Sequence, residues 1–222
     1  MGRCLESVLK RRHPCLYEII VVDNASSDET SAVAFQFPGV RVVRENAKGT
    51  NHARQKGFKA ATGDIIAFVD ADTELPSDWF ESIMEEFSKN DELICLSGPY
   101  SYYDLTSMRK MMVRAYWSLI AYPTYLVVGY MVVGGNFAVR RSGLESIGGF
   151  DTSIAFYGDD TDIARRLHKV GKVKFKPSFI MSTSGRRFKG QGFFKTSFIY
   201  VCNFLSEVSI KRPVTKKYKD IR

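Results

Sequence analysis

The chain has 222 residues, enough for one well-packed domain carrying an appendage. Hydrophobic residues make up 45% and charged residues 25%, a balance that excludes a disordered chain. The net charge of +8 is lopsided: residues 163–222 hold 16 of the 32 Lys and Arg but only two acids, Glu207 and Asp220. Such a segment would seek phosphate, in nucleic acid or in a lipid headgroup layer, or would form a solvated basic face.

In chain order, Leu5, Val8 and Leu9 recur at helical spacing between Arg3 and Arg12, and Pro14 ends that helix. Ile19-Ile20-Val21-Val22 is a β-branched run suited to a strand buried on both faces, and it ends in the polar turn Asp23 to Asp28. A helix over 29–37 stops at Pro38-Gly39, and Val40 to Val43 forms a second strand. A helix over 51–60 closes at Gly63, and Ile65 to Val69 forms a third buried strand that ends on Asp70. Pro76 and Ser77 open a further helix, with Ser77 as its expected N-cap. Alternation of strand and helix with short links predicts a parallel α/β sheet.

Residues 115–139 are uncharged and long enough to cross a bilayer. Pro123, three glycines and Asn136 interrupt them, so the reading favoured is a helix, a break at Pro123, then a buried strand. The N-terminus has no apolar run after its charges, so no secretory signal is expected. Cys4, Cys15, Cys95 and Cys202 form no CxxC pair and have no histidines at ligand spacing. This points away from a zinc site or a disulfide framework and toward a reducing, cytoplasmic compartment.

In parallel α/β sheets the ligand sits at the carboxyl ends of the strands. Asp23 and Asp70 both fall there, and Asp72 follows one residue after Asp70. Two carboxylates so spaced can face one hard cation, Mg²⁺ or Mn²⁺, whose remaining ligands are substrate phosphate and water. Asp159, Asp160 and Asp162 have a plainer reading as the acidic first turn of a helix ending near Gly171, favoured by the helix dipole. Likewise Gly134-Gly135 reads either as a turn or as a place where backbone approaches a sugar closely.

Taken together these segments resemble the family 2 glycosyltransferases. The resemblance is carried by Cys4 to Leu9 with Glu18 to Asp28, by Ala53-Arg54 with Ala61 to Asp72, by Gly134-Gly135-Asn136 with Arg140-Arg141, by Gly148 to Asp151, and by Gly158 to Leu167. It runs in family order over about residues 3–177. It implies a GT-A (Rossmann-like) fold, a mostly parallel central sheet flanked by helices over residues 1–180, with a basic amphipathic extension over 181–222. It also implies inverting transfer from a nucleotide-sugar donor with a divalent metal. By motif position Asp23 would contact the nucleotide base, Arg54 would sit near the donor, and Asp70 would meet the ribose or the metal. Asp72 would be the main metal ligand, Asp160 the general base with Asp159 as neighbour or substitute, and Gly134, Gly135 and Asn136 would face the acceptor.

Two departures from the pattern shape the expectation. Members of the family begin with a buried strand ahead of the helix that here starts at Arg3, so the central sheet would lack one strand and the donor site one wall. Processive members carry a Gln-x-x-Arg-Trp motif, and the nearest segment here is Ser184 to Phe188. Single-sugar transfer to a glycan or lipid-linked acceptor is therefore expected, with Arg186 and Arg187 pairing with the diphosphate. The alternatives are a polyprenyl-phosphate sugar synthase, whose acceptor is already an anion, and a non-catalytic relative that binds nucleotide sugar. Nucleic-acid binding would explain the basic tail but none of the acids. Residues 192–210 are rich in aromatic and aliphatic residues with basic neighbours, so a peripheral membrane contact through 186–212 is expected beside the alternative of a helix packed on the core.

Overall fold

Helix α1 (Gly2–Lys10) turns Cys4, Leu5, Ser7 and Val8 inward, the face that the spacing of apolar residues predicts. The computed structural model describes residues 1–154 and 158–192. Strand β1 (Ile19–Asn24) pairs in parallel with β2 (Val40–Glu45), Val21 opposite Val42 and Asp23 opposite Arg44. Helix α2 (Thr30–Phe35) links them, and α3 (Thr50–Ala60) packs across both.

The chain then builds a second sheet. Strand β3 (Ile65–Val69) is followed by the short β4 (Thr73–Glu74) and helix α4 (Trp79–Lys89). Next come β5 (Leu93–Ser97), β6 (Tyr100–Tyr102), and a helical rod made of α5 (Ser107–Tyr116), a π turn (Trp117–Ala121) and α6 (Tyr122–Val128). Strand β7 (Asn136–Arg140), α7 (Arg141–Ser146), α8 (Asp159–His168), β8 (Lys172–Phe175), β9 (Met181–Thr183) and α9 (Arg186–Gln191) complete the order. The four-stranded sheet runs β3-β7-β5-β8, and a smaller one runs β4-β9-β6.

The sheet is mixed, where the strand–helix alternation predicts parallel pairing. Strand β7 is antiparallel to both β3 and β5, and only β5 and β8 are parallel. The connection explains it. After Ser97 the chain stays at the carboxyl end of β5, through β6 and the helical rod, and so re-enters the sheet running back. That reversal delivers residues 134 and 135 to the carboxyl end of β3, since Asn136 pairs with Val69. Residues 131–139 are all buried, and Phe137 stacks on Phe68 with ring centroids 4.7 Å apart.

Among the described residues β1 bonds only to β2, and β3 only to β7. Between these two strands lies a cleft of about 800 Å³, lined by Ile19 to Val22, Ile65 to Asp70 and side chains of α1, α3 and α4.

Three local expectations change. Pro123 does not break the helix: it sits at the start of α6, directly after the π turn, whose wider i→i+5 bonding loosens the ladder where the ring enters. The rod ends instead at Gly129, in the left-handed region at φ 84°. The residue before α4 is Asp78 and not Ser77. Finally, β9 pairs with β4 and β6, so Met181–Thr183 belong to the folded body. No helix among the described residues is long and apolar enough to cross a membrane. The aromatic segment 193–210 and the remaining basic tail lie outside the described residues, as does Cys202, while Cys4, Cys15 and Cys95 are free thiols.

Candidate active site

Helix α8 begins behind Gly158, held at φ 89°, and presents Asp159 and Asp160 from its first turn. The two acids converge on one guanidinium. Arg54 Nη1 on α3 donates to Asp159 Oδ2 at 2.9 Å and to Asp160 Oδ1 at 3.0 Å. The backbone N–H of Gly134 donates to Asp160 Oδ2 at 2.8 Å. The side chain of Asp160 remains 37% exposed, whereas those of Asp159 and Arg54 are 11% and 10% exposed. Asp160 thus meets the site's opening while Asp159 braces it from behind. Asp162, the third acid of that turn, is buried against Arg165 and Arg166, which is the structural role that the helix-start reading assigns.

Burial is the main force raising the pKa of both Asp159 and Asp160. The charge of Asp160 raises Asp159 further and that of Asp70 raises both, against the pull of Arg54. Burial by itself would lower the pKa of Arg54, but Asp160, Asp159 and Asp70 outweigh it and keep the guanidinium charged. Three carboxylates therefore face one arginine, and the site carries surplus negative charge.

Asp70 stands on the other side of the glycine pair. Tyr100 donates its hydroxyl to Asp70 Oδ2 at 3.0 Å, and burial followed by the Asp70 charge raises the phenol well above its usual range. A Cβ on Gly134 would strike Arg54 and Asp160, and a Cβ on Gly135 would strike Tyr100 and Asp70. Two consecutive glycines thus let one backbone pass between the acids of α8 and the acid that ends β3. Burial and the Asp70 charge raise the pKa of Asp72, while Arg186 Nη2, 3.2 Å from Asp72 Oδ2, opposes them.

The residues present suit a divalent cation. Two carboxylates one residue apart, close enough for the Asp70 charge to act on Asp72, are a set that Mg²⁺ and Mn²⁺ accept when phosphate and water oxygens complete it. No third His, Cys, Asp or Glu joins them among the described residues.

The structure thus brings together Asp70, Gly134, Gly135, Arg54, Asp159 and Asp160, with Asp72 and Arg186 joined beside them. Asp23 has a different setting. Its buried carboxylate accepts from the Ser31 hydroxyl at 2.7 Å and the Ser26 N–H at 3.0 Å, and these bonds hold its pKa low. Arg187 lies in the first turn of α9 beside Arg186.

Asn136 also has an internal setting. It is fully buried; its Oδ1 accepts from Trp79 Nε1 at 3.0 Å, and its Nδ2 donates to the carbonyls of Phe179, Gly98 and Pro99. Its amide therefore anchors the glycine pair and does not point to an acceptor. Asn136→Ala is expected to cost at least about 2 kcal/mol in urea unfolding, because each orphaned buried group costs ~1–3 kcal/mol. Unchanged stability with lost transfer would instead place its amide on the acceptor.

Three contributors escape sequence reading. Tyr100 follows the unremarkable pair Gly98-Pro99, and nothing local marks it as a partner of Asp70. Asn51 and Gln55 on α3 hold the Gly148 to Asp151 loop, through the Asp151 carbonyl at 2.7 Å and the Phe150 N–H at 2.8 Å; only the spacing of Asn51 to Arg54 and to Gln55, three and four residues on, hints at a shared face.

Comparison with known proteins places this geometry. The profile described as glycosyl transferase family 2 matches residues 1–148, two thirds of the chain. The chain belongs to that family. Among curated relatives of this family 2 chain, a glucosyl-dolichyl phosphate glucuronosyltransferase of Haloferax volcanii is 23% identical over 164 residues, covering 70% of the chain and 52% of the relative. The chain thus spans about half of that relative's length. In fold it is similar to a mannosyltransferase from Pyrobaculum calidifontis solved with GDP-Man and Mn²⁺, at a TM-score of 0.68 and 20% identity, covering 93% of the chain and 58% of that protein. A glucosyl-3-phosphoglycerate synthase from Mycobacterium tuberculosis, solved with Mn²⁺, UDP-glucose and phosphoglyceric acid, gives a TM-score of 0.62 at 18% identity, covering 93% of the chain and 75% of that protein. The fold of the family 2 chain is accordingly a GT-A-like α/β fold with mixed sheets.

Proposed function

We propose that this family 2 chain transfers one sugar per cycle, with inversion, from a nucleoside-diphosphate sugar to a hydroxyl of a glycan or lipid-linked acceptor. The observation that carries the reading is the paired placement of Asp160 and Asp70 on either side of Gly134-Gly135. Asp160 is the more open of the α8 acids and its pKa is raised, so it suits proton uptake. The acceptor oxygen bonds to the anomeric carbon while its proton passes to Asp160. The bond from that carbon to the diphosphate breaks, and its electron pair leaves on the diphosphate oxygen. Arg54 and the Gly134 N–H hold Asp160 in place, and Asp159 keeps Arg54 oriented.

Asp72 and Asp70 would hold the Mg²⁺ or Mn²⁺, which when bound neutralises charge on the departing diphosphate. Arg186 is 57% exposed in its pair with Asp72, so exchanging Asp72 for diphosphate costs Arg186 little. Arg187 joins it there, and Asp23 fixes the loop beside the nucleotide base. The transferase body runs through β9, with α9 packed on it through Phe188, and the basic extension that follows reaches the cytoplasmic face of a membrane. The GDP-Man, UDP-glucose and Mn²⁺ of the solved relatives support the donor class and the metal.

The test is transfer and donor hydrolysis with Mn²⁺ for the full chain and for Asp72→Ala. Asp72→Ala is expected to weaken Mn²⁺-dependent donor binding by at least about tenfold in calorimetry, the loss of one charged ligand being worth ~1.5–3 kcal/mol. Equal Mn²⁺-dependent binding by the variant would remove Asp72 from the metal site.

A further inference from the structure

The rod formed by α5, the π turn and α6 is two-sided. Its inner side is aromatic: Trp117 Nε1 donates to the Tyr100 carbonyl at 3.1 Å, and Tyr116, Tyr122 and Tyr125 pack with Ala121, Met131 and Phe175. Its outer side leaves Met108, Met111, Leu119, Ile120, Leu126 and Val127 exposed, Leu119 at 75% and Val127 at 88%. From Ala115 to Val127 this outer side carries no charge at all; its polar residues are Ser118 and Thr124, and the Thr124 hydroxyl is spent on the Ile120 carbonyl at 2.7 Å. Exposed Lys110 and Arg114 mark its N-terminal end.

A monomer in water does not gather six large apolar side chains on one helical face without a partner for them. Here we infer that this outer face lies in the interface of an anionic lipid bilayer, with the rod parallel to the membrane plane. The shape is that of an interfacial helix: a continuous apolar face, basic residues at its margin, and an inner face committed to the fold. Charge selects lipid over a second copy of the chain. A second copy would bring the same Lys110 and Arg114, and the same net +8, against themselves, whereas anionic headgroups complement both.

The placement also bears on the proposed reaction. Beyond Gly129 only Tyr130 to Val133 separate the rod from Gly134, whose N–H binds Asp160. A rod seated in the headgroup layer would therefore present the base to an acceptor anchored in that layer. This second consequence rests on the transferase reading; the docking does not.

The full chain is sedimented with vesicles of phosphatidylcholine alone and of phosphatidylcholine mixed with phosphatidylserine. Binding is expected only to the mixed vesicles, and the double variant L119E/V127E is expected to lose at least about tenfold in affinity, two charges having been forced into the apolar layer. Its melting temperature and its donor hydrolysis in solution should be unchanged, which separates this result from a failure of the transferase reading. Arg114→Glu should weaken binding less, and in a salt-dependent way. Equal binding by the double variant, absence of binding by the parent chain, or a dimer in solution that L119E/V127E dissociates would each overturn the inference.

Discussion

Asp160→Asn is expected to lower kcat for a hydroxyl acceptor by about 10²–10⁴, the usual worth of a positioned general base. The amide keeps the size of the carboxyl group and can still accept from Gly134 or Arg54, so stability should change little. In the parent enzyme kcat/KM should rise with pH through an apparent pKa above the ordinary carboxylate range, because the base works only when ionised and burial holds its proton. Asp159 and Asp160 titrate as a pair, so the inflection belongs to both. The variant should lose that limb. Stability runs the other way. Both acids hold their protons more tightly in the folded chain than in the unfolded one. Their contribution is therefore fully present below the unfolded carboxylate pKa and is lost as pH rises through the raised values. Retention of most activity by Asp160→Asn would instead favour an acceptor that is already an anion, as in a polyprenyl-phosphate sugar synthase.

Gly135→Ala is expected to be as damaging although it removes no chemical group. The new methyl would overlap Asp70 and the Tyr100 hydroxyl, both held by packing and by their mutual bond. Overpacking of this kind costs about 1–3 kcal/mol in stability. Displacing a catalytic or metal-binding carboxylate by about 1 Å can cost ~10²-fold in rate. Gly134→Ala meets Arg54 and Asp160 in the same way. The two variants should separate by readout: Gly135→Ala should weaken Mn²⁺-dependent donor binding, whereas Gly134→Ala should lower turnover with donor affinity largely kept. Crystal structures showing Asp70 and Asp160 unmoved in fully active variants would refute the steric argument. Neither glycine adopts a left-handed backbone, so lack of space is the whole case.

Much of the fold was legible because its first half follows local rules. The β-branched runs at Ile19 and Ile65, the turn at Asp23 and the helix carrying Arg54 all stand within a residue or two of their expected positions. Sheet direction was not legible, because the sense of β7 is set by a detour of almost forty residues through β6 and the helical rod. Pro123 misled for a related reason: a π turn upstream absorbs it, and no short pattern announces a π turn. In the site, acids at strand and helix ends were visible as sequence positions. Their grouping around Arg54 was not, since Arg54 and Asp159 are 105 residues apart in the chain. Asn136 shows the opposite limit. A motif identifies where a residue stands, but only the bonds to Trp79, Gly98 and Phe179 reveal that its amide is consumed internally.

The cleft between β1 and β3 has a mechanical meaning. Asp23 rides on one sheet and Asp70 on the other, with no shared backbone hydrogen bond among the described residues to fix their spacing. Two helices are among the fasteners that cross the gap. Helix α1 sets Leu5 against Val21 on one side and Val8 against Leu75 and Trp79 on the other. Helix α3, seated on β1 and β2, reaches through Arg54 to the acids of α8. The guanidinium that holds Asp159 and Asp160 is thus also a rivet between two plates, and the width of the cleft is governed by how stiffly α1 and Arg54 hold them apart.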